Sequence, residues 1–125
     1  MGLCYELDVR HVAAADLLDG LPAPPDPYAE TVLRGVDEHL EEIDSLLAKF
    51  SERWAVDRMP AVDRALLRMA VWELLERPEI PTGAVISEAV ELAKTFSTEE
   101  SGRFVNGVLG SIASEVRADG VETAS

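Results

Sequence analysis

Only one cysteine, Cys4, occurs in the 125 residues, which excludes an intrachain disulfide and a cysteine-rich zinc site. It lies near an apolar face, where a packed, inert thiol is the ordinary outcome. His11 and His39 fall on different predicted helices, and neither has a second histidine at ligand spacing. A metal site would need several such ligands, so none is expected. The scattered glycines match neither the phosphate-cradling loop nor the dinucleotide fingerprint, and no cofactor is expected. Nor does any apolar run approach the ~18 residues of a membrane span. The N-terminus lacks the basic and apolar regions of a secretory signal, which points to the cytoplasm. Basic side chains are scarce as well: 11 against 24 acidic ones, a net charge of -13. Such a surface repels phosphate backbones over roughly 8–10 Å of screening length. Nucleic-acid binding would therefore depend on a local site or on a partner.

What the chain does have is helical periodicity. β-Branched and aromatic residues never alternate with polar ones long enough for a sheet, and 47% apolar content is that of a globular chain. A first helix is expected from Leu3 to about Leu18, stopped by Gly20 and the prolines Pro22, Pro24 and Pro25. Asp26 and Pro27 then suit a helix start. Leu33, Val36, Leu40, Ile43, Leu47 and Phe50 place one apolar stripe on a single long helix, with Glu38, Glu41, Glu42 and Asp44 on its solvated side. After a connector with Trp54, the stretch following Met59-Pro60 is apolar nearly all round from Ala65 to Leu75, as in a central buried helix. Pro78 and Pro81 end it. The next helix, from about Ala84 to Phe96, turns Ile86, Ala89, Val90, Ala93 and Phe96 inward. Ser97 with Glu100 has the capping-box spacing, and the last helix buries Val105, Val108, Leu109, Ile112 and Val116. The expectation is an all-α bundle forming a single domain over residues 1–116. Its two packed halves divide near residue 52, and a disordered polar tail spans 117–125.

Two constellations carry chemistry. Glu88 and Glu91, with Arg68 interrupting the most buried helix, form either an acid–base pair or, more simply, an ion-pair network joining two helices. Around the turn into the last helix stand Phe96, Glu100, Arg103, Phe104 and Asn106, with Lys94 just before. Val105 and Phe104 point about a hundred degrees apart, so Phe104 reaches at least the edge of the core. An aromatic beside an amide, a carboxylate and a cation can stack and read single-stranded bases; the same ring could instead fill a gap in the bundle.

Three segments resemble the NusB family in the order found there. They are Arg53-Trp54-Ala55-Val56-Asp57-Arg58-Met59-Pro60 continuing to Arg68, Ile86-Ser87-Glu88-Ala89-Val90-Glu91-Leu92-Ala93-Lys94-Thr95-Phe96, and Phe104-Val105-Asn106-Gly107-Val108-Leu109. Leu3 to Val9 is similar to the end of the family's first helix. The resemblance implies an α-helical fold of two packed subdomains. It also implies a non-enzymatic role, binding boxA RNA of ribosomal transcripts with the ribosomal protein NusE in the RNA polymerase antitermination complex. Carried over by position, it places RNA contacts at Phe96, Glu100, Phe104 and Asn106, and partner contacts at Tyr5 and Asp63. A carboxylate at Glu100 would accept from a base donor such as cytosine N4. For Asp63, a helix-start charge favoured by the dipole is an equal reading. NusB proteins open with an arginine-rich segment, whereas this sequence starts at Met1-Gly2-Leu3, within the first-helix resemblance, with Arg10 alone basic before Arg34. Two other readings stand beside it: an acidic protein-interaction module that dimerises or binds a partner, and the RNA-binding domain of an RNA cytosine methyltransferase.

Overall fold

A computed structural model describes residues 27–51 and 55–117. The first expected helix, with Cys4, Tyr5 and His11, lies outside the described residues, as do Trp54 and the tail from 118. Among the described residues are α1 (Pro27–Glu38), α2 (Leu40–Phe50), a 3-10 turn (Val56–Arg58), α3 (Ala61–Glu76), α4 (Thr82–Phe96) and α5 (Glu99–Val116). No strand is present among them, and the fold is all-α.

The apolar stripe buries as its spacing requires. Leu33, Val36, Ile43 and Leu47 are fully buried, with Leu40 and Phe50 packed at the margin of the core. The single long helix expected here is instead two, interrupted at His39. Backbone bonds His39 N to Gly35 O and Ile43 N to His39 O carry across the break, so the stripe keeps its phase. A one-residue opening of this kind leaves no trace in apolar periodicity. The His39 ring is tied outside its own helices, with Nε2 3.1 Å from a Glu76 carboxylate oxygen on α3.

Helix α3 is central and packs against α1, α2, α4 and α5. Its buried side chains run round the cylinder: Ala65, Leu66, Leu67, Ala70, Val71, Trp72 and Leu74. Each fully buried leucine contributes about 1.5–3 kcal/mol of apolar burial. The helix starts after Pro60, and Arg64 Nη1 donates to Val56 O at 2.8 Å, locking the 3-10 turn against it. From α5, Val105, Val108, Leu109 and Ile112 complete the core, with Val116 at its edge.

Arg68 has an ion-pair partner, as a cation on α3 must, but not the one the sequence pattern proposed. Its Nε and Nη2 donate to the two Asp44 oxygens at 3.0 and 2.8 Å, joining α3 to α2. Glu88 and Glu91 are exposed, and Glu91 instead lies 4.0 Å from Lys94. Asp44 therefore belongs at a helix contact rather than on the solvated side of its helix. The bidentate pair is mostly shielded, with 14% and 29% of the two side chains exposed. Asp44→Ala removes the carboxylate facing the guanidinium and is expected to cost about 1–2 kcal/mol, less than a fully buried pair because water reaches this one. A lowered urea midpoint with unchanged m-value would register it; an unchanged midpoint would show the pair to be energetically idle.

Candidate functional site

The turn between α4 and α5 is built by a cap. Thr98 takes an extended conformation, and its Oγ1 accepts from the Ser101 amide at 2.9 Å. The cap is thus Thr98, one residue beyond the Ser97 expected from the capping-box spacing. Ser97 instead places its hydroxyl 2.9 Å from the Ser101 hydroxyl, and Thr98 Oγ1 lies 3.2 Å from the same atom. Glu99 and Glu100 occupy the first turn of α5, where the helix dipole favours negative charge. Beneath the turn, Gly102 makes room for the Lys94 stem, since a Cβ there would come within 2.8 Å of Lys94 Cγ.

At this turn lies a pocket of about 220 Å³ lined by Pro60, Asp63, Ser97, Thr98, Glu100, Ser101 and Phe104. Asp63, in the first turn of α3, is only 2% exposed. Its Oδ1 is buried and has no hydrogen-bond partner. Burial pushes the Asp63 carboxyl above its ordinary range, while the neighbouring Ser101 and Ser97 hydroxyls act in the opposite sense. One wall is the Phe104 ring, half-buried against the core.

The structure brings three of the six residues singled out in the sequence to this pocket: Asp63, Glu100 and Phe104. Asp63 forms part of its buried lining rather than of an open acidic surface. Phe96, expected to turn inward, is 56% exposed at the end of α4. The inward positions of that helix are Val85, Ala89 and Ala93, and Phe96, though three residues past Ala93, is the last residue of the helix. Asn106 is exposed and lies two residues past Phe104, on the far side of α5 from the pocket. Tyr5 lies outside the described residues. What sequence reasoning missed is the hydroxyl lining. Ser97, Thr98 and Ser101 read as cap chemistry, and nothing in their spacing brings Asp63, more than thirty positions earlier, to the same place.

Among the described residues no three His, Cys, Asp or Glu side chains are grouped to hold a metal ion, and no helix is long and apolar enough to cross a membrane.

Comparison with known proteins supplies the ancestry of this arrangement. The family model described as "NusB family" matches residues 6–114. A transcription antitermination protein NusB from Nocardioides sp. is 47% identical over 116 residues, covering 90% of this chain and 86% of that protein. Among solved structures, NusB of T. maritima superposes with a TM-score of 0.81 at 35% identity, covering 97% of this chain and 90% of that one. A structure of the antitermination factors NusB and NusE in complex with double-stranded RNA is similar at a TM-score of 0.77 and 30% identity, with 90% and 89% covered. With sequence, fold and pocket-bearing segments all inside the matched range, the chain belongs to the NusB family.

Proposed function

We propose that this protein is a transcription antitermination factor that binds boxA-type RNA of ribosomal transcripts together with the ribosomal protein NusE. In the RNA polymerase antitermination complex it would act in the cytoplasm by binding alone, with no covalent step. The observation that carries the reading is the likeness, along nine-tenths of the chain, to a NusB bound to NusE and double-stranded RNA. The pocket at the α4–α5 turn supports it locally, because an aromatic wall and acceptor oxygens are what a single base requires. Phe104 and Glu100 are the RNA contacts at that pocket, Phe96 offers a second exposed ring beside it, and Asn106 would meet RNA only on the other face of α5. Tyr5 and Asp63 are the contacts proposed for NusE.

A net charge of -13 sets the terms. Lys94 and Arg103 are the cations adjacent to the turn, too few to hold a phosphate backbone alone, so affinity has to be shared with NusE. The same charge favours the second reading, a protein-only interaction module. Fluorescence anisotropy of labelled boxA-type RNA at fixed salt, with and without NusE, separates the two. Binding that appears or tightens with NusE is expected, and RNA binding undetectable even with NusE would leave the protein-only module. Phe104→Ala should weaken the complex about 5- to 50-fold, the loss of one base stacked on a ring. An unchanged affinity would place the RNA elsewhere.

A further inference from the structure

Most of the described cations are committed to the fold. Arg34 pairs with Glu30, Lys49 with Glu115, Arg68 with Asp44 and Arg77 with Glu79. Arg64 and Arg117 donate to backbone carbonyls. Among the described residues three cations stand apart. Arg58 and Arg103 are exposed and pair with no described residue, and Lys94 meets only Glu91, at 4.0 Å. All three lie close to the pocket, each on a different element. Lys94 rests its stem on Gly102, next to the pocket-lining Ser101. Arg103 stands about 60° round α5 from Glu100. Arg58 ends the 3-10 turn two residues before Pro60, at most about 7 Å of chain from a residue that lines the pocket. We propose that Arg58 is a binding residue for RNA, its guanidinium contacting a backbone phosphate, so that the RNA surface runs from the α4–α5 turn to the turn ahead of α3. This rests on the RNA-binding reading above and deepens it.

Three features favour the assignment. First, the mount is rigid. Met59, next in the chain, is 3% exposed, and Arg64 Nη1 ties Val56 O to α3 at 2.8 Å. The Arg58 and Met59 amides close the turn on Ala55 O and Val56 O at 2.9 and 3.3 Å. Backbone is thus fixed beneath a side chain that lies in solvent, so less order has to be imposed on binding. Second, a guanidinium matches phosphate oxygens in a bidentate fork, and this one keeps its donors open even beside the exposed Asp57. Third, a net charge of -13 repels phosphate over most of the surface. An anionic chain can approach only where cations are not offset by carboxylates, and Arg58, Lys94 and Arg103 mark that place. An acidic protein segment would meet the same charges, but it offers no planar base to the Phe104 ring that lines the pocket between them.

The test is the salt dependence of binding, with labelled boxA-type RNA titrated with the full chain and NusE between about 50 and 200 mM salt. Arg58→Ala should weaken binding about 3- to 10-fold at the low end. It should also make the slope of log affinity against log salt shallower by about 0.7, one phosphate contact on a single strand. The loss should be equal for RNAs of different base sequence, because a phosphate carries no sequence information. Arg58→Lys keeps the charge and should restore most of the slope but only part of the affinity. Arg34→Ala is the control: it removes the same charge from α1, outside the residues that line the pocket, and should leave the slope unchanged. Arg58 is exposed and holds nothing in the fold, so its variants should keep the native urea midpoint. Equal effects of Arg34→Ala and Arg58→Ala would reduce the result to net charge and overturn the inference. So would unchanged RNA affinity in Arg58→Ala. A loss of NusE affinity with the salt slope intact would overturn it too, by assigning Arg58 to the protein partner. If the native protein binds no boxA-type RNA even with NusE, the RNA reading falls and takes this inference with it. If it binds and Phe104→Ala weakens it while Arg58→Ala does not, the inference alone fails.

Discussion

Gly35→Ala is expected to destabilise the protein by about 2 kcal/mol, although the same change on an open helix is stabilising. Gly35 is buried in α1, facing the Trp72 indole of α3. A Cβ at this position would lie 2.7 Å from Trp72 Cζ2 and closer still to Nε1 and Cε2, nearer than atoms can pack. The indole has nowhere to go: it is 5% exposed, and the Arg77 guanidinium sits 5.5 Å from its ring, over the Tyr28 ring at the same distance. Tyr28 in turn donates to a Glu73 carboxylate oxygen at 2.6 Å. The clash is thus resisted by α1 and α3 together. Replacing glycine in a helix gains up to about 1 kcal/mol, so the steric term has to exceed that before it shows, and the geometry requires that it does. Gly107→Ala is the control, because nothing lies within 4 Å of its Cβ position. Urea denaturation should show opposite signs for the two substitutions. Adding Trp72→Phe to Gly35→Ala should recover part of the loss, since the smaller ring vacates the atoms in conflict. Equal shifts at Gly35 and Gly107 would mean that the α1–α3 contact yields without cost.

The contrast between the two glycines shows which features of this chain are legible in one dimension. Burial of Leu33, Val36, Ile43 and Leu47, and of Val105, Val108, Leu109 and Ile112, follows from spacing, because a helix maps sequence distance onto a face. Pro27 and Pro60 mark helix starts for equally local reasons. By contrast, the partner of Arg68 depends on which helices touch, and Asp44 is separated from it by a connection whose path no pattern specifies. Phe96 misled in a different way: it is apolar and near the helical row, but it sits where α4 runs out and the core has ended. The site divides along the same line. Glu100 and Phe104, four apart on one helix, are readable as neighbours. That Asp63 meets them inside a hydroxyl-lined pocket is a tertiary fact.

Arg117 lies where helical pattern stops in the sequence, yet it is a clasp, and Arg117→Ala is expected to cost about 3 kcal/mol. Its Nε donates to Leu74 O at 2.9 Å, Nη1 to Ile80 O at 2.6 Å, and Nη2 to Glu73 O at 3.1 Å and Arg77 O at 2.7 Å. Nη1 also reaches Thr82 Oγ1 at 3.2 Å, at the start of α4. The carbonyls of Glu73 and Leu74 belong to the last turn of α3, where a cation is favoured by the dipole; Glu73 O also accepts from the Arg77 amide at 2.9 Å, so the guanidinium shares that acceptor. One side chain therefore ends α3, shapes the turn through Ile80 and fixes the entrance to α4. Arg117→Lys should recover less than half of the loss, because an ammonium is a point charge with three donors and cannot span this fan of acceptors. Thermal unfolding should place the variants in the order native, Lys, Ala. The pocket lies at the opposite end of α4, about 20 Å away for a helix of this length. At a temperature where Arg117→Ala is still folded, its RNA affinity in the presence of NusE should match the native protein. A parallel loss of stability and affinity would instead show that the α4–α5 turn is held in shape from the far end of the helix, through the same packing that buries Val85, Ala89 and Ala93.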